Sequence, residues 1–471
     1  MLDSSAVARG DALDAPGAIE RLIDRARARP LASQALSCLS FAAPLVPAER
    51  LLGLRAGEHA YLWATADDDE CSGVGAMRTL SAAGASRCIA LRDQATRVFH
   101  DLASIALDDS APPQPRLVGG LAFDAEPSQS AMWHGFGAAL FVLPRVAYTR
   151  RGERAWLTIT ADRAEVASMD GRGALAREAR QALACLTLES ASTAAQSGAA
   201  TARAVPPQIE ESREQWWELV SGICAEIAAG RLEKAVAARR VAVRSARLPH
   251  ATEVLERLRF EARGCTRFAL RIGARTFLGA SPECLVRRTG RQVVTEALAG
   301  SMPRAAPDAD ASLRRSAKET AEHAIVVREI RTALAPFCAR IASDVPVPLR
   351  LRHLLHLRTR IVATLARPQH VLDLVAALHP TPAVGGTPRR AALAWLAAHE
   401  QADRGFYGGP FGAFDGDGDG HFVVAIRSGL LHAGVAHLFA GAGIVAGSHA
   451  GTEWTETRWK LRSLMTAIGV G

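Results

Sequence analysis

RFALRIGARTFLGASPECLVRRTGRQVVTEALAG, residues 267–300, decides the fold class. Its apolar and β-branched residues come in short runs interrupted by Gly-Ala, Ser-Pro and Thr-Gly, which predicts three short strands separated by turns. Working outward, AALFVLPRVAYTRRGERAWLTITAD (138–162) predicts two strands around the polar turn RRGE, and RLVGGLAFD (116–124) a strand with a tight glycine pair. GHFVVAIRSGLLHAGVAHLFAGAGIVAGS (420–448) predicts two strands joined at His-Ala-Gly and ended by a glycine-rich loop. Helical spacing runs through 17–30 up to Pro30, through 169–188, and through 310–341 as one long helix. Residues 212–243 predict a helix, a glycine turn and then a helical or strand entry; 372–400 predict helix, loop, helix; 452–468 form a closing helix. Residues 188–212 are small and polar and read as a connection. Strands come in groups with helices between them and strict βαβ alternation is missing. The expected class is therefore α+β with packed antiparallel sheets.

With 471 residues, the chain has room for two domains or one large one. Being 49% hydrophobic and 22% charged, it has the composition of a folded protein, not a disordered one. No apolar run has transmembrane length, so no membrane association is expected. The opening MLDSSAVARGDALD places acids where a secretory signal needs basic and then apolar residues, so a cytoplasmic location is expected. The eight cysteines make no Cys-x-x-Cys pair, which points away from zinc ribbons and thioredoxin-type sites. The net charge of +8 comes without a dense basic tract or interleaved aromatics, so no nucleic-acid partner is expected. A small anionic metabolite needs only a local positive field.

The basic residues are unevenly chosen. Of 56, only Lys234, Lys318 and Lys460 are lysines; the other 53 are arginines. Lysine can lose its proton near neutral pH when buried or crowded by cations, and arginine essentially cannot. In KETAEHAIVVREI (318–330), Lys318 and Glu322 are helical neighbours, as are Glu319 and His323. In the closing helix, Glu453, Glu456 and Lys460 share one face. Each set also reads as a solvated helix face. If Glu322 and Glu456 converge, they form a hard oxygen site suited to Mg²⁺, completed by waters and a substrate oxygen. FAGAGIVAGS (439–448) offers backbone N–H groups to an anion at Gly441, Ala442 and Gly443, or is simply a tight strand-to-helix connection. Arg427 could clamp a carboxylate, or be one surface arginine among many. Glu283 has apolar flanks whose desolvation would raise its pKa and make it a general acid; Lys234 has the opposite potential, as a base. A strand-edge acid and a snorkelling lysine are the plain alternatives. His379 opens the rigid loop HPTPAVGG (379–386), as a pocket wall or as a packing residue.

Taken together these segments resemble the chorismate-utilising enzymes. The matching words are LEKAVAAR, GASPECLV, TEALAGS, KETAEHAIVV, LHPTPAVGG, DRGFYGGPFG, VVAIR, FAGAGIVAGS and EWTETRWK. The match is dense over 212–471 and looser before it, through LVGGLAFD. The resemblance implies one large α+β chorismate-binding fold with two packed antiparallel sheets enclosed by helices. Residues 1–205 would supply its N-terminal part and 206–471 the catalytic region. It implies Lys234 as the base that activates water and Glu283 as the acid that protonates the departing hydroxyl. Glu322 and Glu456 would ligate Mg²⁺, with Glu453 nearby and able to act through water. Arg427, the Gly441–Gly443 stretch with Ala442, and Lys460 would hold substrate carboxylates, and Gly300 and Ser301 would contact the ring side. Lys318 is expected to support the metal helix through an ion pair. His379, Ala383 and Val384 match isochorismate synthase, as do GGPFG (408–412) and GIVAGS (443–448). The expected activity is therefore conversion of chorismate to isochorismate, with salicylate synthase second and a non-catalytic anion-binding relative as the third reading. The product could feed salicylate or dihydroxybenzoate siderophores, or menaquinone. No glutamine amidotransferase subunit is expected, and the chain is expected to act as a monomer or weak homodimer.

Overall fold

The computed structural model describes residues 15–28, 35–55, 57–67, 69–107, 112–188, 207–245 and 248–470. Pro30 and most of the 188–212 connection lie outside these stretches. The architecture is α+β with extensive antiparallel sheet. Among the described residues, every strand pairing is antiparallel except Leu36–Ala42 with Leu102–Ala106. The two packed sheets expected from the family are not separated by the pairing, which links all strands into one hydrogen-bonded network. Among the described residues, no helix is long and apolar enough to cross a membrane.

Strands from the two ends of the chain pair directly. Ala60–Ala64 lies beside Thr266–Ile272, and Leu117–Leu121 beside Pro410–Phe414. One buried core joins Leu39, Leu62 and Leu183 to Val241, Leu278 and Leu464.

The 267–300 region holds four strands rather than three: Thr266–Ile272, Arg275–Ser281, Cys284–Thr289 and Gln292–Pro303. Each of the three turns separates a pair of strands. The single helix expected over 310–341 is broken. Ala309–Arg315 ends at Ser316, whose extended backbone lets its hydroxyl accept from the Glu319 N–H and start the Ala317–Leu334 helix. The chain then enters the strand Cys338–Ser343. A serine three residues before a glutamate is a helix-start signal that a reading of apolar spacing alone passes over. Residues 420–448 form three strands, Gly420–Val424, Ser428–His432 and Val435–Ile444. FAGAGI is therefore strand, not loop. Gly441 pairs with Ala238 and Gly443 with Val236 on the strand Lys234–Arg244.

The early and late parts of the chain are also tied by buried charge. Arg267 reaches Glu49 at 2.9 Å and Glu70 at 3.0 Å, and Arg259 reaches the same two carboxylates at 2.9 and 3.2 Å. Glu49 is fully buried. A buried pair broken on one side leaves an uncompensated charge. Glu49→Gln is therefore expected to cost about 3 kcal/mol in urea unfolding; a loss no larger than that of an exposed substitution would contradict this tie.

Candidate active site

One cavity collects residues from ten segments of the chain: Val236, Glu283, Gly300 and Ser301, Glu322, His356, Ala383, Tyr407, Arg427, Gly441 and Gly443, and Lys460. Lys234 starts the strand behind it and is fully buried, with Nζ 2.9 Å from Glu322 Oε1. The meeting depends on Gly443. A Cβ there would lie 2.0 Å from Glu322 Oε1 and 3.0 Å from Lys234 Cε. The strand is fixed from its other side by Glu400 and Arg404. Glu400 Oε2 accepts from the Ala238 N–H at 3.1 Å, and Arg404 donates to the Val236 and Val384 carbonyls at 2.7 Å each. That second arginine bond holds the 379–386 loop, and Ala383 with it, against the strand.

Glu283 sits in the turn between Arg275–Ser281 and Cys284–Thr289. Its N–H donates to Ser281 Oγ, and its Oε1 is buried without a hydrogen-bond partner. Burial pushes its carboxyl up to about 8, against the pull of Lys234. At neutral pH Glu283 is therefore a neutral acid with a proton to give.

Gly300 has a φ of 78° at an irregularity in the pairing of Gln292–Pro303 with Leu354–Leu365. The irregularity turns the Ser301 N–H toward Glu319 Oε2, which accepts it at 2.7 Å. Arg427 has φ 54° and lies between Gly420–Val424 and Ser428–His432. Its Nη2 is 2.8 Å from His356 Nε2, and its Nη1 is buried without a partner. Arginine only donates, so His356 Nε2 accepts and the ring proton belongs on Nδ1. Nδ1 lies 3.1 Å from the Gly300 carbonyl and 3.0 Å from Ser301 Oγ. Burial, then Arg427 and Lys460, hold His356 well below the usual imidazole range, so it is neutral. Lys460 donates to the Gly441 carbonyl at 2.8 Å and pairs with Glu456 at 2.5 Å.

The carboxylates form a group. Burial, then Glu322, raise Glu319 to about 7; burial, then Glu456, raise Glu453. Lys318 reaches across from the Ala317–Leu334 helix to Glu453 at 2.7 Å. Its expected helical partner Glu322 faces Lys234 instead, and His323 hydrogen-bonds Thr359 rather than Glu319. Among the described residues, no three His, Cys, Asp or Glu side chains form a ready metal cage.

Lys234, Glu453 and Glu456 are not part of the cavity lining but pair with Glu322, Lys318 and Lys460 beside it. His379 and Ala442 lie elsewhere. His379 is buried beside Phe123, with Nε2 2.9 Å from the Phe123 carbonyl, and burial lowers it to about 3; it anchors its loop and does not line the cavity. Ala442 alternates to the opposite face of its strand and packs with Trp216 and Trp454. Because FAGAGI is paired strand, the expected cradle of loop N–H groups at 441–443 is not formed. Its glycines instead leave room for Glu322 and supply the carbonyl that Lys460 grips. His356 and Tyr407 join the site without being among the expected residues. His356 is the polar member of LLHL in a buried strand, and Tyr407 is one of only three tyrosines and sits inside the quoted FYGG word.

A family model described as chorismate binding enzyme matches residues 22–469. The salicylate biosynthesis isochorismate synthase of Pseudomonas aeruginosa is 40% identical over 367 residues, covering 76% of each chain. Isochorismate synthase MenF of Bacillus subtilis is 32% identical over 366 residues, covering 75% of each. Among solved structures, the menaquinone-specific isochorismate synthase MenF from Escherichia coli superposes with a TM-score of 0.74 at 26% identity, over 96% of this chain and all of that one. Anthranilate synthase component I from Streptococcus pneumoniae, 19% identical with a TM-score of 0.64 over 91% of this chain and 92% of that one, shares the fold.

Gly443→Ala tests the close approach. A crystal structure of the variant is expected to show the Glu322 carboxylate moved off Lys234; an unmoved pair would contradict the steric argument.

Proposed function

The chain belongs to the chorismate-binding enzymes, and on that premise we propose that it is an isochorismate synthase, adding water at C2 of chorismate while the C4 hydroxyl leaves. The observation that carries the reading is a buried, protonated carboxyl at Glu283 close to Lys234, the one fully buried lysine among the described residues. The reaction needs a proton taken from water and a proton given to a departing hydroxyl. Lys234, acting as the free amine, takes the first and becomes the ammonium that Glu322 pairs. Glu283 gives the second, to the C4 oxygen. The electron pairs of the two ring double bonds shift between these points, so hydroxyl is gained at C2 and lost at C4 with no change in oxidation state.

The substrate is a dianion, and the site has cations for it. Arg427 presents its unpaired Nη1, aimed by His356, to one carboxylate, and Lys460 adds charge from the closing helix. Gly300 and Ser301 border the ring. Tyr407, packed by Phe439 and with its hydroxyl close to Gly441, lines the same cavity. A buried site of this kind excludes bulk water and strengthens each charge contact.

The donor set fits Mg²⁺. Glu322 and Glu456 bring hard carboxylate oxygens, and the Glu453 Oε2 is buried without a partner. Mg²⁺ is ordinarily held by one or two carboxylates with waters and substrate oxygens, so a complete protein cage is not required. We assign Glu322 and Glu456 as ligands and Glu453 as a ligand through water. Bound there, Mg²⁺ would supply positive charge to the ring carboxylate as electron density moves toward it.

Several residues favour water over other nucleophiles. A lysine at 234 suits a hydroxyl-forming base, and the 379–386 loop has no lysine to attack the ring. Water also needs no amidotransferase subunit to deliver it, and the enzyme is taken to work as a monomer or weak homodimer. The 40% identity to the Pseudomonas aeruginosa protein favours salicylate-type siderophore supply as the use of the product.

Purified protein given chorismate and Mg²⁺ is expected to release isochorismate without pyruvate. Salicylate with pyruvate would select salicylate synthase instead, and binding without turnover a non-catalytic relative. Lys234→Ala is expected to lose activity by about 100-fold or more while still binding chorismate; activity kept would remove Lys234 as the base. Glu283 acts in its protonated form, and its pKa is raised, so the rate should fall as pH rises through about 8. A profile flat across that range would contradict the assignment of Glu283 as the acid.

A further inference from the structure

All three lysines of this chain end on one cluster of glutamates. Lys234 meets Glu322 at 2.9 Å, Lys318 meets Glu453 at 2.7 Å, and Lys460 meets Glu456 at 2.5 Å. Everywhere else the basic side chain is arginine, 53 times. The difference is chemical. A guanidinium is a planar fork that locks onto a carboxylate in a fixed geometry, whereas an ammonium is a compact, strongly hydrated point charge on a flexible stem. Of the two, the ammonium is the closer substitute for a small hard cation, and the easier to exchange for one.

Lys234 and Lys460 have roles in binding and chemistry. Lys318 has none there, yet it holds two of the four acids, Glu453 and, at 3.4 Å, Glu319. Its surroundings are asymmetric. The Glu453 side chain is 1% exposed and cannot leave, while that of Lys318 is 25% exposed and has solvent to swing into. Glu453 keeps its second oxygen, Oε2, buried and unpartnered beside the pair. Without a cation nearby, four packed carboxylates would repel one another and carry a large desolvation cost.

We propose that Lys318 is a tethered counter-cation. It neutralises Glu453 and Glu319 while no divalent cation is present and swings outward when one binds, so it sets the concentration at which the site loads. This rests on the Mg²⁺ reading given above. The device keeps the cation-free protein folded around its acids, and its cost is a weaker affinity for the metal, because the ion must displace an amine already in place.

The lysine-poor sequence makes the test direct, since an amine-reactive reagent can modify only three side chains and the chain's α-amine. Peptide mass spectrometry should show the labelling rate of Lys318 rising several-fold when Mg²⁺ is added to the substrate-free protein. In calorimetry Lys318→Met should bind Mg²⁺ about tenfold more tightly than the unmodified chain, and should gain more in melting temperature from the metal. If Mg²⁺ binds but Lys318 labelling stays constant or falls, or if the variant binds no more tightly, the counter-cation role is overturned and the metal site stands. If the unmodified chain takes up no Mg²⁺, the metal reading itself fails and this inference with it. The labelling arm needs no variant, so a misfolded Lys318→Met leaves the proposal falsifiable.

Discussion

The site depends on the bare backbone at Gly443. There the strand Val435–Ile444 passes so close to the Ala317–Leu334 helix that any side chain would overlap the Glu322 carboxylate. With hydrogen in place of a Cβ, Glu322 reaches Lys234 on the neighbouring strand, and a carboxylate and an amine are both taken out of water. Buried charge is stable only when paired, so this contact fixes strand, helix and lysine relative to one another. The remaining acids and amines extend the same arrangement to the closing helix.

Burial also separates the protonation states. Glu283 and Glu322 are both glutamates in one cavity. Glu322 has Lys234 against it, and the amine, working against burial, holds its carboxyl below the usual range. Glu283 feels Lys234 less than it feels burial, and is pushed up. One is an anion and the other a neutral acid because their partners differ, and that division is what a site needs in order to bind a cation and donate a proton at the same pH. His356 shows the same logic for a base. Lowered by burial and two cations, it accepts from Arg427 instead of repelling it.

Much of this was legible in the sequence because chemistry left local marks. The three lysines stood out against 53 arginines, Glu283 stood among apolar residues, and two helical segments carried paired acids. Antiparallel α+β texture followed from short apolar runs and turn residues. What the sequence concealed were effects of partners distant along the chain. FAGAGI looks like a loop because glycine and alanine are poor strand formers, yet pairing with Lys234–Arg244 makes it strand. His379 looks like a pocket wall, but a carbonyl 256 residues earlier claims it. Lys318 looks paired with Glu322 along its own helix, and reaches instead to Glu453 on the last one. His356 carries no local signal of its own, since its importance comes from Arg427 and Gly300.

In the proposed reaction an amine activates water on chorismate while a buried carboxylic acid releases the C4 hydroxyl. Turnover in ¹⁸O-water with mass and NMR analysis of the isochorismate tests it most directly. One solvent oxygen is expected, placed at C2, with the original C4 oxygen lost to the medium. Isochorismate that keeps the substrate's own hydroxyl oxygen would mean internal transfer, and would contradict it.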